Sequence, residues 1–228
     1  MIKLEHVVLP SPEQMKFVIE GMRNPMNSWD KSDSVVCPEC RLDCVNAGCD
    51  DKNKYWDIED FGLGKNDYSL MEKLAQAGTD HRKFMRMMPV YVRITAPLYW
   101  WKEFDTYKIA TVGSSCSTMH KIAEKKFTLD DFSHEHLDDL TLDALNYVIT
   151  QLEYDRRLYL KTNDKEYWWR MIQFLPSSYN QTRNVMMNFE VLANIYRQRK
   201  SHKLDEWREF CRWIEKLPHS ELITGEDK

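Results

Sequence analysis

The sequence predicts a chain that combines β-strands with amphipathic α-helices, an α/β class, and three stretches indicate it. Residues 90–95 alternate apolar and polar side chains, the two-residue period of a half-buried strand. Residues 2–9 have a similar strand character and lead directly into a helix start. Residues 141–160 place apolar side chains three and four positions apart, which is typical of an amphipathic helix.

Composition narrows the class of protein. The 228 residues are 43% hydrophobic and 30% charged, enough for one substantial core or two small ones. The net charge of −4 does not favour non-specific nucleic-acid binding, so no nucleic-acid partner is expected. No apolar run has membrane-spanning length and no signal peptide is evident, so we expect a cytoplasmic protein without a membrane partner.

Helix signals mark several further elements. Ser11, Pro12 and Gln14 form the pattern of a capping box, and residues 67–78 form a helix pattern with Asp67 as a possible cap and Gly78 as its stop. Residues 164–174 and 205–217 are also predicted helices. Residues 121–136, including His134 and His136, are predicted to be a charged surface connection, and residues 223–228 a loose polar tail.

Four of the six cysteines lie in a polar, turn-rich segment: Cys37, Cys40, Cys44 and Cys49. The first two have C-x-x-C spacing, and the other two could complete a tetrahedral zinc site. A closed four-thiolate site would be structural, because it leaves no open coordination position. A redox pair and a loop with free thiols remain alternatives.

The stretch that follows the predicted strand 90–95 is a candidate ligand site. It contains Ala96-Pro97, a short aromatic helix, and a loop of small side chains at residues 113–118 that includes Cys116. Such a loop presents a ligand site or forms an ordinary surface turn, and Cys116 could act as a nucleophile. The preceding residues Arg82, Lys83 and Arg86 could meet a phosphate or form a solvated basic edge.

A second candidate region spans residues 175–208. Asn188, Asn194 and Arg199 stand at positions 0, 6 and 11 of a predicted helix and lie broadly along one side of it. His202 and Glu206 follow with a spacing that could bind metal.

These two regions resemble the flavin-dependent thymidylate synthases. In the first region the agreeing residues are Ile94, Ala96, Pro97 and Ala110. In the second region they are Leu175, Pro176, Asn188, Asn194, Arg199, His202, Glu206 and Arg208. The resemblance implies a structural role for His202 and Glu206. The reacting positions differ from the family pattern. Thr106 and Tyr107 replace Arg-His, Ser114 replaces Glu, Cys116 replaces Ser, and Thr118 replaces the last Arg.

The resemblance implies an α/β (α+β) fold in which a mixed sheet is combined with long helices. It implies one domain over residues 1–228, with a Cys-rich insertion at about 28–66. Family members are homotetramers that hold FAD and dUMP where subunits meet. Their activity is that of an FAD-dependent methyltransferase, the reductive methylation of dUMP to dTMP with methylenetetrahydrofolate and NADPH.

By the same resemblance, Asn188, Asn194 and Arg199 would bind the flavin, with His81 nearby. Lys108, Ser114, Cys116 and Arg199 would bind the nucleotide. The uncharged Thr106 and Thr118 would deprive a phosphate of two guanidinium partners, each bond worth roughly 1.5–3 kcal/mol. Arg82, Lys83, Arg86 or Arg183 would have to compensate. The alternative is a non-catalytic member that binds nucleotide, flavin or metal and acts through its Cys-rich insertion.

Overall fold

The computed structural model describes residues 1–36, 55–58 and 61–225, with the backbone alone for 55–58. In chain order the elements are β1 (Lys3–Val8), α1 (Pro12–Arg23), β2 (Val35–Val36), β3 (Tyr55–Ile58), β4 (Phe61–Leu63), α2 (Lys65–Gln76), β5 (Pro89–Pro97), α3 (Leu98–Phe104), β6 (Val112–Ser115), α4 (Asp139–Thr162), α5 (Lys165–Phe174), β7 (Asn180–Asn188), α6 (Phe189–Arg199), α7 (Asp205–Ile214) and α8 (Glu221–Thr224). The predicted class is confirmed, since helices accompany an antiparallel sheet.

The chain divides into two compact units. The first unit comprises Met1–Glu5, Arg93–Lys108 and Gly113–Val185. The second unit comprises His6–Val92, Ile109–Val112 and Met186–Lys228. None of the helices in the described residues is both long and apolar enough to cross a membrane.

A four-stranded sheet has the order β1-β5-β7-β6. The hydroxyls of Thr95 and Thr182 lie 2.7 Å apart, and Arg93 Nε donates to Asn184 Oδ1 at 3.3 Å. The partner of Thr95 is Thr182, and the partner of Arg93, two residues earlier on β5, is Asn184, two residues later on β7. The two strands are therefore antiparallel. Strand β7 was not predicted, because its sequence, NQTRNVMMN, has no clear alternation of apolar and polar residues.

The core of the first unit lies against α4 and α5. Its buried side chains are Ile122, Ala123, Phe127, Phe132, Leu145, Ile149, Leu152 and Met171. The prediction that residues 121–136 form a surface connection is therefore wrong. Most charged side chains of this segment are exposed, although Asp131 is only 12% exposed. The aromatic side chains Phe127 and Phe132 are buried in the core cluster, because removing apolar area from water is favourable.

Two helix starts show how local and tertiary signals compete. The capping box of α1 is confirmed, with Ser11 Oγ accepting from the Gln14 N–H at 3.3 Å and Gln14 Oε1 accepting from the Ser11 N–H at 2.8 Å. Helix α2 instead begins at Lys65 after Gly64, so the expected cap at Asp67 is wrong. A Cβ at Gly64 would collide with Asp33, which explains the glycine.

Asp67 is fully buried and forms the centre of a polar cluster in the second unit. Arg23 Nε donates to its Oδ1 at 2.5 Å, and the hydroxyls of Ser32 and Ser34 donate to its Oδ2 at 2.7 and 2.6 Å. The Arg23 guanidinium also donates to Ser28. Since an unpaired buried charge is costly, these bonds fix α1 and α2 together.

Two expected loops contain regular structure. Strand β6 (Val112–Ser115) includes the first three residues of the segment 113–118 that was predicted as a small-residue loop, because β7 offers a pairing partner. The predicted loose tail begins at Ile223, but helix α8 extends into it as far as Thr224. Leu222 and Ile223 are buried, and Glu221 accepts a 2.9 Å hydrogen bond from the Tyr68 hydroxyl. Residues 226–228 of that tail lie outside the described residues.

Asp67→Ala should lower the free energy of unfolding by about 3–5 kcal/mol, because it leaves the buried Arg23 charge without its carboxylate. Urea denaturation followed by circular dichroism measures this change. Glu124→Ala is the matched control, since it removes one partner of the exposed Lys121–Glu124 pair and should cost less than about 1 kcal/mol. Equal effects of the two substitutions would contradict the central role of Asp67.

Candidate functional site

The first unit carries three of the four residues expected to bind a nucleotide, while the fourth, Arg199, belongs to the second unit. Lys108 is exposed four residues after the end of α3, and Ser114 is exposed on β6. Cys116 is also exposed. Its backbone N–H donates to the Thr182 carbonyl at 2.9 Å, and its carbonyl accepts from Gln181 Nε2 at 2.9 Å. Both the backbone N–H and the backbone carbonyl of Cys116 are thus hydrogen-bonded to residues of β7.

Two positions that differ from the family pattern serve the end of α3. The Thr106 hydroxyl donates to the Glu103 carbonyl at 2.7 Å. Tyr107 is buried, with its ring centroid 6.4 Å from that of Phe104. Both side chains are therefore occupied by local structure, and the positive charge expected at the first of these positions has no replacement there.

Arg183 is an ordered cation on β7 in the first unit. Its Nε donates to Gln181 Oε1 at 2.9 Å, and its Nη1 donates to Asp105 Oδ1 at 2.7 Å. The guanidinium lies 4.1 Å from the ring centroid of Trp101, whose Nε1 donates to the Gln181 carbonyl at 2.9 Å. With 18% of its side chain exposed, Arg183 is oriented before any ligand arrives.

A polar chain therefore runs from Asp105 through Arg183 and Gln181 to the peptide of Cys116. Sequence reasoning named Arg183 only as a possible compensating charge and missed Asp105, Gln181 and Trp101. The link between Gln181 and Arg183 could be recognised only if residues 180–188 were known to form a strand. In a strand, Gln181 and Arg183 point to the same face because they are two residues apart.

The two described thiols have different environments. Burial raises the pKa of Cys211 to about 12, with Glu215 adding to the effect and Arg199 opposing it. Cys116 is exposed. Burial also raises the pKa of Tyr179, with smaller contributions from Asp131 and Cys116. Because the thiolate is the reactive form, Cys116 is the chemically accessible thiol of the two.

The second unit carries the residues expected to bind a flavin, and Asn188 is built into the fold there. Its Oδ1 accepts from the Val191 N–H at 3.0 Å as the N-cap of α6, and its Nδ2 donates to the Arg86 carbonyl at 3.2 Å. Asn188 is buried while Asn194 is exposed, so the expectation that they share one side of a helix is wrong. Helix α6 begins one residue later than that expectation required.

The other flavin candidates present polar groups at or near the surface of the second unit. Asn194 Oδ1 accepts from Gln198 Nε2 at 3.1 Å. The Arg199 guanidinium lies 4.7 Å from the ring centroid of the buried Trp207, which holds it in place. His81 is exposed. Their use in flavin binding stays a prediction.

The three basic residues near His81 have separate environments. Arg82 is buried, with its Nε 3.1 Å from Glu190 Oε2. Arg86 Nη2 donates to the Thr79 carbonyl at 3.2 Å, and Lys83 is exposed. The charge of Arg82 is thus balanced within the second unit, so a phosphate there would compete with Glu190.

Metal binding was expected from cysteines that lie outside the described residues: Cys37, Cys40, Cys44 and Cys49. Among the described residues, no group of three or more His, Cys, Asp or Glu side chains could hold a metal ion. His134 Nδ1 instead lies 2.8 Å from the Phe132 carbonyl. His202 Nδ1 accepts from the Leu204 N–H at 3.2 Å, in keeping with the structural role that the resemblance implies.

Comparison with known proteins shows a likeness of structure. No family model matches the sequence, and no curated protein matches it. The fold is similar to that of thymidylate synthase X from Helicobacter pylori, in two structures with FAD and dUMP. The TM-scores are 0.61 and 0.60, at 16% and 17% identity. The matches cover 98% and 100% of this chain, and 97% and 99% of those chains. The chain therefore has a fold like that of a flavin-dependent thymidylate synthase over its full length.

Asn188→Ala should lower the free energy of unfolding of the flavin-free protein by about 1–2 kcal/mol, because it removes the N-cap of α6. Asn194→Ala is the control on the same helix. It should change stability by no more than about 0.5 kcal/mol, since Asn194 is exposed. Urea denaturation measures both values. An unchanged stability in Asn188→Ala would show that the cap contributes nothing.

Iodoacetamide should modify Cys116 in the native protein at least about a hundredfold faster than Cys211. The reason is that Cys116 is exposed, whereas burial shields the Cys211 thiol and raises its pKa to about 12. Mass spectrometry of the two peptides over time measures the rates. In urea the two thiols should react at similar rates, which controls for sequence effects. Rapid native modification of Cys211 would contradict its burial.

Proposed function

We propose that this chain is a divergent flavin-dependent thymidylate synthase, which binds FAD and carries out the reductive methylation of dUMP to dTMP. One observation carries the proposal: its fold matches, along the whole chain, that of an enzyme whose structures contain FAD and dUMP. The chain would use NADPH and methylenetetrahydrofolate as co-substrates and act as a homotetramer in the cytoplasm. These finer points rest on the family resemblance.

The donor set in the second unit suits a flavin. Its ring edge needs amide donors and acceptors, and its pyrophosphate needs a cation. Asn194 offers an exposed amide, and Arg199 offers a guanidinium held over Trp207. His81 offers an exposed imidazole. Asn188 would contribute indirectly by fixing the start of α6, since both of its polar atoms are already bonded.

The donor set in the first unit suits a nucleotide monophosphate. One of its cations, Arg183, stands at a position outside the family pattern. Lys108 gives a positive charge but lacks the fork of an arginine. Arg183 supplies an oriented guanidinium with part of its surface open. Ser114 and the Cys116 thiol add weaker polar groups. We infer that Arg183 takes over part of the phosphate binding that Thr106 and Thr118 cannot provide.

Bound FAD would supply the hydride after reduction by NADPH, while the side chains of this chain bind, orient and balance charge. Arg199 would hold the flavin and reach the uracil edge, where a guanidinium donates two bonds to carbonyl oxygens. Lys108 and Arg183 would hold the phosphate and so fix the position of the nucleotide.

A second candidate function is a non-catalytic member that binds flavin, nucleotide or metal and acts through its Cys-rich insertion. The local contacts of Thr106 and Tyr107 favour this non-catalytic candidate. The hydroxyl of the first caps the Glu103 carbonyl and the ring of the second is buried, so neither can replace the Arg-His pair of the family. This candidate predicts ligand binding without turnover.

Titration of one preparation with FAD and then dUMP tests the proposal. The purified protein should show a flavin absorption band or take up FAD, and dUMP should perturb that band. Arg183→Ala should raise the Kd for dUMP by about 10–100-fold, since it removes a charge-assisted bond, with little effect on FAD. Arg170→Ala is the matched control. It removes another arginine stacked on an aromatic ring, 5.1 Å from Tyr167, and should change neither affinity.

The outcomes separate the candidates. Failure to bind FAD would overturn the flavoenzyme proposal. Binding of both ligands without dTMP formation in the presence of NADPH and methylenetetrahydrofolate would favour the non-catalytic candidate. Zinc analysis of wild type against Cys37→Ser and Cys40→Ser then tests its metal site, and absence of zinc from all three would remove the metal-binding version.

A further inference from the structure

Helix α4 has an exposed apolar stripe. Leu140, Tyr147 and Tyr154 are 79%, 70% and 52% exposed. They are seven residues apart, so they follow one line along the helix with a small drift. The opposite face of α4 is buried in the core of the first unit through Leu145, Ile149 and Leu152. Large aromatic and aliphatic side chains in one exposed row mark an interaction surface.

Charged residues along one flank of this stripe follow a symmetrical pattern. Asp139 and Asp143 lie in the first part of α4, whereas Arg157 and Lys161 lie in the last part. Asp139 and Arg157 are separated by five complete helical turns, as are Asp143 and Lys161, so all four lie on the same flank. Thr150 is midway between Asp139 and Lys161 and also midway between Asp143 and Arg157.

These four charges are available at the surface. Within the described part of the chain, Asp139, Asp143 and Lys161 form no ion pair. Arg157 Nε lies 3.8 Å from Glu153 Oε1 and donates a long hydrogen bond of 3.4 Å to the Glu153 carbonyl, but 68% of the side chain is exposed. The neighbouring Arg156 already binds both carboxylate oxygens of Glu153, at 2.8 and 2.9 Å. Arg157 can therefore turn to another acidic partner at little cost.

We propose that α4 packs antiparallel against α4 of a second copy of this chain, about a two-fold axis at Thr150. In that arrangement Asp139 faces the partner subunit's Lys161, and Asp143 faces the partner subunit's Arg157. Tyr147 lies beside the partner subunit's Tyr154. In antiparallel pairs of helices, equivalent flanks face each other, so each acidic end meets a basic end.

The charge pattern selects this occupant over others. A parallel pair of α4 helices would place acidic ends together and basic ends together, which is repulsive. An unrelated partner would have no reason to require placement symmetrical about Thr150, whereas a two-fold interface requires every contact to occur twice. The inference does not depend on flavin or nucleotide binding, and it assigns a surface that the expected homotetramer does not specify.

Two charge variants test the inference by sedimentation and light scattering at low salt. Asp139→Lys with Asp143→Lys makes the flank wholly basic, and Arg157→Glu with Lys161→Glu makes it wholly acidic. Each variant alone should weaken association by about a hundredfold and reduce the mass to half that of wild type or less. An equimolar mixture should recover the wild-type mass, because every facing pair is again of opposite charge.

The control carries the same change in net charge as the wholly basic variant, on exposed positions of another helix. Glu13→Lys with Glu20→Lys on α1 should keep the wild-type mass. Circular dichroism must show that all variants are folded. A monomeric wild-type protein, charge variants with unchanged mass, or folded variants that fail to reassociate when mixed would each overturn the inference.

Discussion

The pairing of β7 with strands on both sides is the constraint on which the candidate site depends. Between β5 and β6, its backbone groups are used in the sheet, and its side chains must alternate between the two faces. That alternation places Gln181 and Arg183 on the face of Trp101 and leaves Thr182 beside Thr95. The last residue of the same strand, Asn188, then caps α6. A shift of one residue in β7 would send all of these side chains to the opposite face.

Asp67, which supports the fold, and Arg183, which a ligand could reach, differ in how fully their charges are enclosed by partners. The carboxylate of Asp67 is surrounded by donors and wholly removed from water. Arg183 is instead paired with Asp105, which is half exposed, so one side of its guanidinium can still meet an anion. Under the proposed function, this arrangement would let the chain keep its fold while the residues that bind the nucleotide change. A cation can move to a new strand position if the scaffold still orients it.

Local signals predicted the elements that carry their own instructions. The capping box at Ser11, the aromatic helix after Ala96-Pro97 and the apolar periodicity of α4 and α7 are all fixed by neighbours three or four residues away. Elements that depend on distant partners were not predicted. Strand β7 has only weak alternation of apolar and polar residues, and β6 has four residues, most of them small. In the segment before α4, the buried Phe127 and Phe132 stand among charged residues in the sequence.

The sequence by itself determined the class of fold, most helix positions and the identity of the polar residues that a flavin or nucleotide could use. Only the tertiary structure decided which of those residues are free to bind. Asn188 is consumed as a cap, Arg82 is paired with Glu190, and Arg183 is oriented by Trp101, Gln181 and Asp105. The physical reason is that availability depends on burial and on partners far apart in the chain, and a pattern of neighbouring residues contains neither.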